Sequence, residues 1–182
     1  MYKVYPKIIL ACLLLVMTGT VYSQRVTQTI NDGWKFSLFE GDASTADFDI
    51  SGWTDVSIPH TWNAKDADDE IPGYFRGKGW YRKVVAVEEL IPEQRVYLSF
   101  EGANQETNVF VNGTFVGNHK GGYSAFTFDV TDYVHAGRNL IAVSVDNSHN
   151  PDIAPLSADF TFFGGIYRDV YLVYTSPVQL ST

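Results

Sequence analysis

The sequence is poor in the residues from which most metal and nucleophile sites are assembled. It has one cysteine, Cys12, and its four histidines, His60, His119, His135 and His149, are scattered with no pair at helical ligand spacing, so no metal centre is expected. It has no strand–turn–helix nucleophile elbow and no phosphate loop; the glycine pairs at 121–122 and 164–165 flank strand-like runs and open no helix. Basic residues are outnumbered, 13 Lys and Arg against 21 Asp and Glu, a formal charge of −8 that argues against a nucleic-acid partner. Amphipathic helical periodicity is missing. So is any apolar run long enough to span a bilayer as a helix.

That first stretch reads as a signal peptide. Lys3 and Lys7 precede the apolar run Ile8 to Met17, which is too short to cross a membrane as a helix, and Val21 and Ser23 have the spacing that signal peptidase reads. Cleavage is expected between Ser23 and Gln24, with residues 1–23 as leader and export to a periplasmic or cell-surface compartment. A lipoprotein signal at Ala11-Cys12 is the alternative, but it would leave the apolar "LLLVM" on the mature end. Loss of Cys12 with the leader leaves a mature chain without cysteine, whose fold cannot use disulfides or thiolate ligands. Residues 24–175 are the right size for one domain with a substantial core, and 176–182 read as a linker.

Aromatic residues are abundant at 15% of the chain, with 15 glycines and 11 tyrosines, a mixture typical of β-structure. Short alternating runs recur between turn residues. "WKFSLFE" (34–40) places Trp34, Phe36 and Leu38 on one face, and "RVYLSFEG" (95–102) does the same with Val96, Leu98 and Phe100. "WYRKVVAVEEL", "AFTFDV" (125–130), "NLIAVSVDN" (139–147) and "GIYRDVYLVY" (165–174) are further strands. In "TNVFVNGTFVGN" (107–118), Asn112-Gly113 is the pair best suited to a two-residue type I′ hairpin turn, a better reading of Asn112 than a glycosylation acceptor. "DVTDYV" reads as one short helical turn capped by Thr131 or Asp132. Some eight antiparallel strands imply an all-β, two-sheet sandwich with jelly-roll topology. Two long aromatic-rich loops, 59–79 and 147–164, interrupt the pattern, and loops of that length in one domain are commonly functional.

Taken in order, "DGWKF", "WTDVSIPHTWN", "GKGWYRK", "YLSFEGANQETNVFVNGTFVGNHKGGYSAFTFDVTDYV", "NLIAVSVDN" and "FGGIYRDVYLV" resemble the N-terminal domain of glycoside hydrolase family 2, which includes β-galactosidases, β-glucuronidases and β-mannosidases. The pieces run from Gly33 to Val173. The resemblance implies a jelly-roll β-sandwich of galactose-binding-domain type, the sugar-binding domain, followed in full-length relatives by an immunoglobulin-like domain and a (β/α)8 barrel. Catalysis in the family uses two glutamates on that barrel, about 5 Å apart as retention requires. A barrel takes about 250 residues, so the segment is expected to be an N-terminal fragment without catalytic residues, its linker leading toward the next domain.

The same resemblance points to Asp159. In β-galactosidase members an Asp seven residues before the last strand motif reaches the galactosyl group and a monovalent cation, and Asp159 precedes Ile166 by that interval. The loop at 59–79 would also approach the barrel mouth, which makes Asp68 and Arg76 further substrate-binding candidates, although neither matches a particular family contact. Sugar recognition needs such a mixture of groups that bond hydroxyls and aromatic faces that cover C–H surfaces.

The remaining conspicuous residues have plainer readings. Glu88 and Glu89 are neighbours at a strand end and are expected on opposite faces, unable to flank one bond. Arg168 and Asp169 are likewise expected on opposite faces, with Arg168 partly buried beside an acid. Trp34, Trp53 and Trp80 read as packing residues, and His60 as a loop anchor. Two other functions fit these observations: a free-standing carbohydrate-binding module, and a structural sandwich domain of a surface protein.

Overall fold

Alternation of apolar and polar residues is realised as ten strands in the computed structural model, which describes residues 25–66, 73–157 and 161–176. They are β1 (Arg25–Thr29), β2 (Trp34–Leu38), β3 (Thr54–Val56), β4 (Lys78–Val87), β5 (Arg95–Phe100), β6 (Glu106–Val111), β7 (Thr114–Lys120), β8 (Phe126–Asp129), β9 (Gly137–Asp146) and β10 (Val170–Thr175). A four-stranded sheet has the order β1-β10-β5-β8, and a six-stranded sheet the order β3-β2-β4-β9-β6-β7, with every named pair antiparallel. The molecule is an all-β sandwich, in agreement with the jelly-roll expectation.

The core lies between the sheets because each strand turns alternate residues inward. Tyr81, Val85 and Val87 of β4, Ile141, Val143 and Val145 of β9, and Val109 and Val111 of β6 face Val96, Leu98 and Phe100 of β5 and Val170 and Leu172 of β10. Each buried side chain of this kind contributes roughly 1.5–3 kcal/mol of transfer free energy. Trp34 is fully buried, and its indole N–H donates to the Ile30 carbonyl at 2.7 Å. Polar backbone at the sheet end is thereby satisfied from within the core.

A second, smaller cluster covers the outer face of the six-stranded sheet. The segment 39–53 folds back so that Phe48 and Trp53 pack with Ala43, Trp80, Ala142 and Phe110. Trp80 donates its indole N–H to the Gly41 carbonyl at 3.0 Å. Trp34, Trp53 and Trp80 therefore pack, as their positions in the sequence suggested.

Several local expectations are refined. The 107–118 hairpin is present as β6 and β7, and Asn112 and Gly113 have φ of 52° and 82°, the paired positive values a type I′ turn needs. The helical turn is a 3-10 segment, Thr131–Tyr133, but its support comes from Asp129, whose Oδ1 accepts from the Thr131 N–H at 3.0 Å, and neither Thr131 nor Asp132 caps it. β10 begins at Val170, not at 165, because Gly165 exchanges backbone hydrogen bonds with Asn104 and the chain crosses the sandwich end before it joins the sheet. Arg168 is consequently outside the strand and exposed, lying over the Tyr167 ring at 5.7 Å and in none of the ion pairs among the described residues. Glu88 and Glu89 follow β4, and both line one recess with Gln28, Gln94 and Tyr174, so strand alternation does not separate them.

Candidate functional site

The two long loops leave the same end of the sandwich, where Lys78 of β4 lies opposite Asp146 of β9. Two asparagine side chains tie them together. Asn63 is 2% exposed and Asn147 1% exposed, so each amide must find its partners inside the protein. Asn63 donates to Asp66 Oδ2 at 2.7 Å and to the Phe75 carbonyl at 2.8 Å, while its Oδ1 accepts from the Gly164 N–H at 2.6 Å and from Asn147 Nδ2 at 3.3 Å. Asn147 Oδ1 accepts from the Gly77 N–H at 2.9 Å, and its Nδ2 also reaches the carbonyls of Phe75 and Phe162, each at 3.2 Å. One polar knot thus fixes the base of both loops.

Glycine makes the close approach possible. A Cβ on Gly164 would come within 2.2 Å of the Trp62 ring, which itself stacks on Phe36 with centroids 5.9 Å apart. Gly165, at a φ of 118°, leaves no room for a Cβ against the Tyr81 hydroxyl and the His60 carbonyl, at 2.6 and 2.7 Å. His60 is the anchor expected of it: its Nδ1 is 2.8 Å from the Tyr81 hydroxyl, and its N–H donates to the Ile166 carbonyl at 2.8 Å. Burial lowers the His60 pKa and raises that of Tyr81, so both are neutral at pH 7.

Of the sequence candidates, Asp68 and Asp159 lie outside the described residues, and with Asp159 the proposed monovalent-cation contact. Arg76 is exposed on the knotted edge. Its guanidinium lies 4.8 Å from the Tyr74 ring centroid and 5.4 Å from that of Phe162, and it hydrogen-bonds the Tyr74 hydroxyl. Asp66 is occupied structurally, its Oδ2 accepting from Asn63 and from the Phe75 N–H at 2.7 Å. Among the described residues no three His, Cys, Asp or Glu are grouped to hold a metal ion.

Beside Arg76 the same edge carries an aromatic cleft that the sequence had not revealed. Asn104, Tyr123, Thr161, Phe163 and Tyr167 line a hollow of about 130 Å³, with Tyr123 and Phe163 about half exposed. Asn104 donates to the Phe163 carbonyl at 2.9 Å, and the Tyr167 hydroxyl donates to the Gly122 carbonyl. Gly122 was the available signal, since a Cβ there would meet Asn104 and its carbonyl accepts from the Tyr167 hydroxyl. An exposed guanidinium between aromatic faces, next to a hollow of aromatic rings, can bond hydroxyl or carboxylate oxygens and stack on sugar C–H surfaces.

Comparison with known proteins agrees with the β-sandwich fold. Residues 27–177 match the family model of the glycosyl hydrolases family 2 sugar binding domain. The chain is 37% identical over 172 residues to a beta-glucuronidase of Bacteroides fragilis, covering 92% of this chain and 23% of that protein. It is 40% identical over 157 residues to a beta-galactosidase of Thermoanaerobacter pseudethanolicus, covering 81% and 19%. Among solved structures, Bacteroides uniformis beta-glucuronidase 2 covalently bound to cyclophellitol-6-carboxylate aziridine superposes with a TM-score of 0.77 at 46% identity, over 85% of this chain and 18% of that one. The chain spans about a fifth of the length of these relatives. It belongs to glycosyl hydrolase family 2, through the sugar-binding domain of that family.

Proposed function

We propose that the chain acts as the N-terminal domain of an exported family 2 glycosidase, its knotted loops forming one wall of a substrate pocket completed by a catalytic barrel on the same polypeptide. The observation that carries this reading is the Asn63–Asn147 knot, which holds Arg76 and the Tyr74, Phe162 and Phe163 rings at one end of the sandwich. A surface of that composition suits a sugar ring, and the relatives that match are named as glucuronidases and galactosidases. The signal peptide at 1–23 and the linker at 176–182 belong to this proposal, as do substrate contacts by Asp159 and Asp68. The substrate is a β-galactoside or a β-glucuronide. Arg76 would suit a uronate carboxylate especially well.

The test has two stages. The gene downstream of codon 182 is expected to encode a barrel with two glutamates, and the full product to hydrolyse nitrophenyl β-galactoside or β-glucuronide. The segment 24–182 alone should leave both intact. In the full product, Arg76→Ala should raise KM more than it lowers kcat. Turnover by the isolated segment, or a reading frame that ends at codon 182, would overturn the proposal.

A further inference from the structure

Far from the knotted loops, the outer face of the six-stranded sheet has a second recess, of about 320 Å³. In a chain of formal charge −8, four cationic residues gather at it: Lys35, Arg82, Lys83 and Arg138. Register explains the placement. Lys35 of β2 lies directly opposite Arg82 of β4, and Val84 lies opposite Leu140 and Ala86 opposite Arg138 on β9, so these side chains share a face. Ile50, Val84 and Leu140 form apolar walls, with Val84 46% exposed.

Arg82 is the unusual member. It is only 3% exposed, and its one hydrogen bond to a described residue is a long one, Nη1 to the Phe48 carbonyl at 3.4 Å. Its Nε is buried without a partner, and Arg82 is in none of the ion pairs among the described residues. The exposed Asp47 carboxylate acts on Arg82 only from beyond ion-pair distance, and the Phe48 ring lies 5.9 Å away, so neither gives the guanidinium a direct anionic partner. A desolvated guanidinium in this condition is costly, and the usual remedy is an anion with two oxygens. Nearby, Lys35 is already paired to Asp55 at 2.8 Å and Lys83 donates to the Asp32 carbonyl, whereas Arg138 is exposed and unpaired among the described residues.

We propose that this recess binds a saccharide bearing a carboxylate or sulfate group, the anion meeting Arg82 and Arg138 and the sugar ring lying on Val84, Ile50 and Leu140. The site is separate from the loop edge and independent of the pocket proposed there. It would hold a charged polysaccharide chain while another part of it is processed.

Isothermal titration of the chain at low ionic strength tests this with sodium glucuronate, inorganic sulfate and glucose as probes. Glucuronate should bind with one-to-one stoichiometry, and both sulfate and glucose should bind about tenfold more weakly, since each lacks half of the recognised chemistry. Arg138→Ser and Val84→Asp, at exposed positions that leave the core intact, should each weaken glucuronate about tenfold, while Arg25→Ser, an exposed position on the four-stranded sheet, leaves it unchanged. Equal affinity for inorganic sulfate and glucuronate would show that the apolar walls recognise no sugar. Loss of binding in Arg76→Ser but not Arg138→Ser would place the ligand at the loop edge. Either result, or no binding at all, overturns the proposal.

Discussion

The six-stranded sheet bears two additions, a cover on its outer face and a pair of loops at its end, and they are held by opposite means. The cover, residues 39–53, is fastened by aromatic packing of Phe48 and Trp53 around Trp80, with few hydrogen bonds across the contact. The loop end is fastened by two buried amides that between them satisfy four backbone groups. Apolar packing is non-directional and tolerates repacking, whereas a buried amide fixes direction and register. A cover only has to exclude water. A loop end that serves as the proposed pocket wall has to be in one place.

The contrast predicts different responses to substitution. Asn147→Leu should be the most damaging, because it orphans the Gly77 N–H and the Phe162 carbonyl and removes the partner of Asn63. A loss of about 3 kcal/mol is expected, with a fall in melting temperature of about 6–12 °C. Gly164→Ala should follow, at roughly 2 kcal/mol, since its Cβ would meet the Trp62 ring at 2.2 Å and the loops would have to part. Phe48→Leu should cost about 1 kcal/mol and leave amide exchange at Asn63 and Gly164 unchanged, because the cover can repack. A Phe48 variant that loosened the loop end would show the two additions to be coupled after all.

The smallest effect is one of pH. Burial lowers the pKa of His60, so its neutral form is favoured in the folded state, and the stability this contributes is present above pH 6.5 and is lost as pH falls through the folded value. His119 is shifted in the same direction by burial. The melting temperature should therefore decline from pH 7 toward pH 5, and His60→Gln should flatten part of that slope. A slope unchanged by His60→Gln would assign the dependence to His119 or to the carboxylates.

The same contrast explains what could be read from the sequence. The apolar face of each strand is a local pattern of period two, so Val96, Leu98 and Phe100 could be assigned to the core without knowing their partners. The Asn112-Gly113 turn is local too, and was equally legible. The loop knot is not local, because Asn63 and Asn147 are 84 residues apart and asparagine in a loop is ordinary. Family resemblance directed attention to Arg76 and to the loops as wholes, but the side chains that position them carried no signal. Arg168 failed for a related reason: its surroundings are set by the Gly165–Asn104 bridge, which delays β10, and not by its own neighbours.

The knot also bears on how such a domain can be altered. Each loop is clamped at both ends, one at Asn63 and Gly77 and the other at Asn147 and Gly164, so a replacement between the clamps has fixed points to join. Grafts at 67–72 or 156–160 from relatives with other substrates should leave the sandwich standing while they change what it recognises. With the loops facing substrate as proposed, specificity can be changed on a frame that does not have to be rebuilt each time.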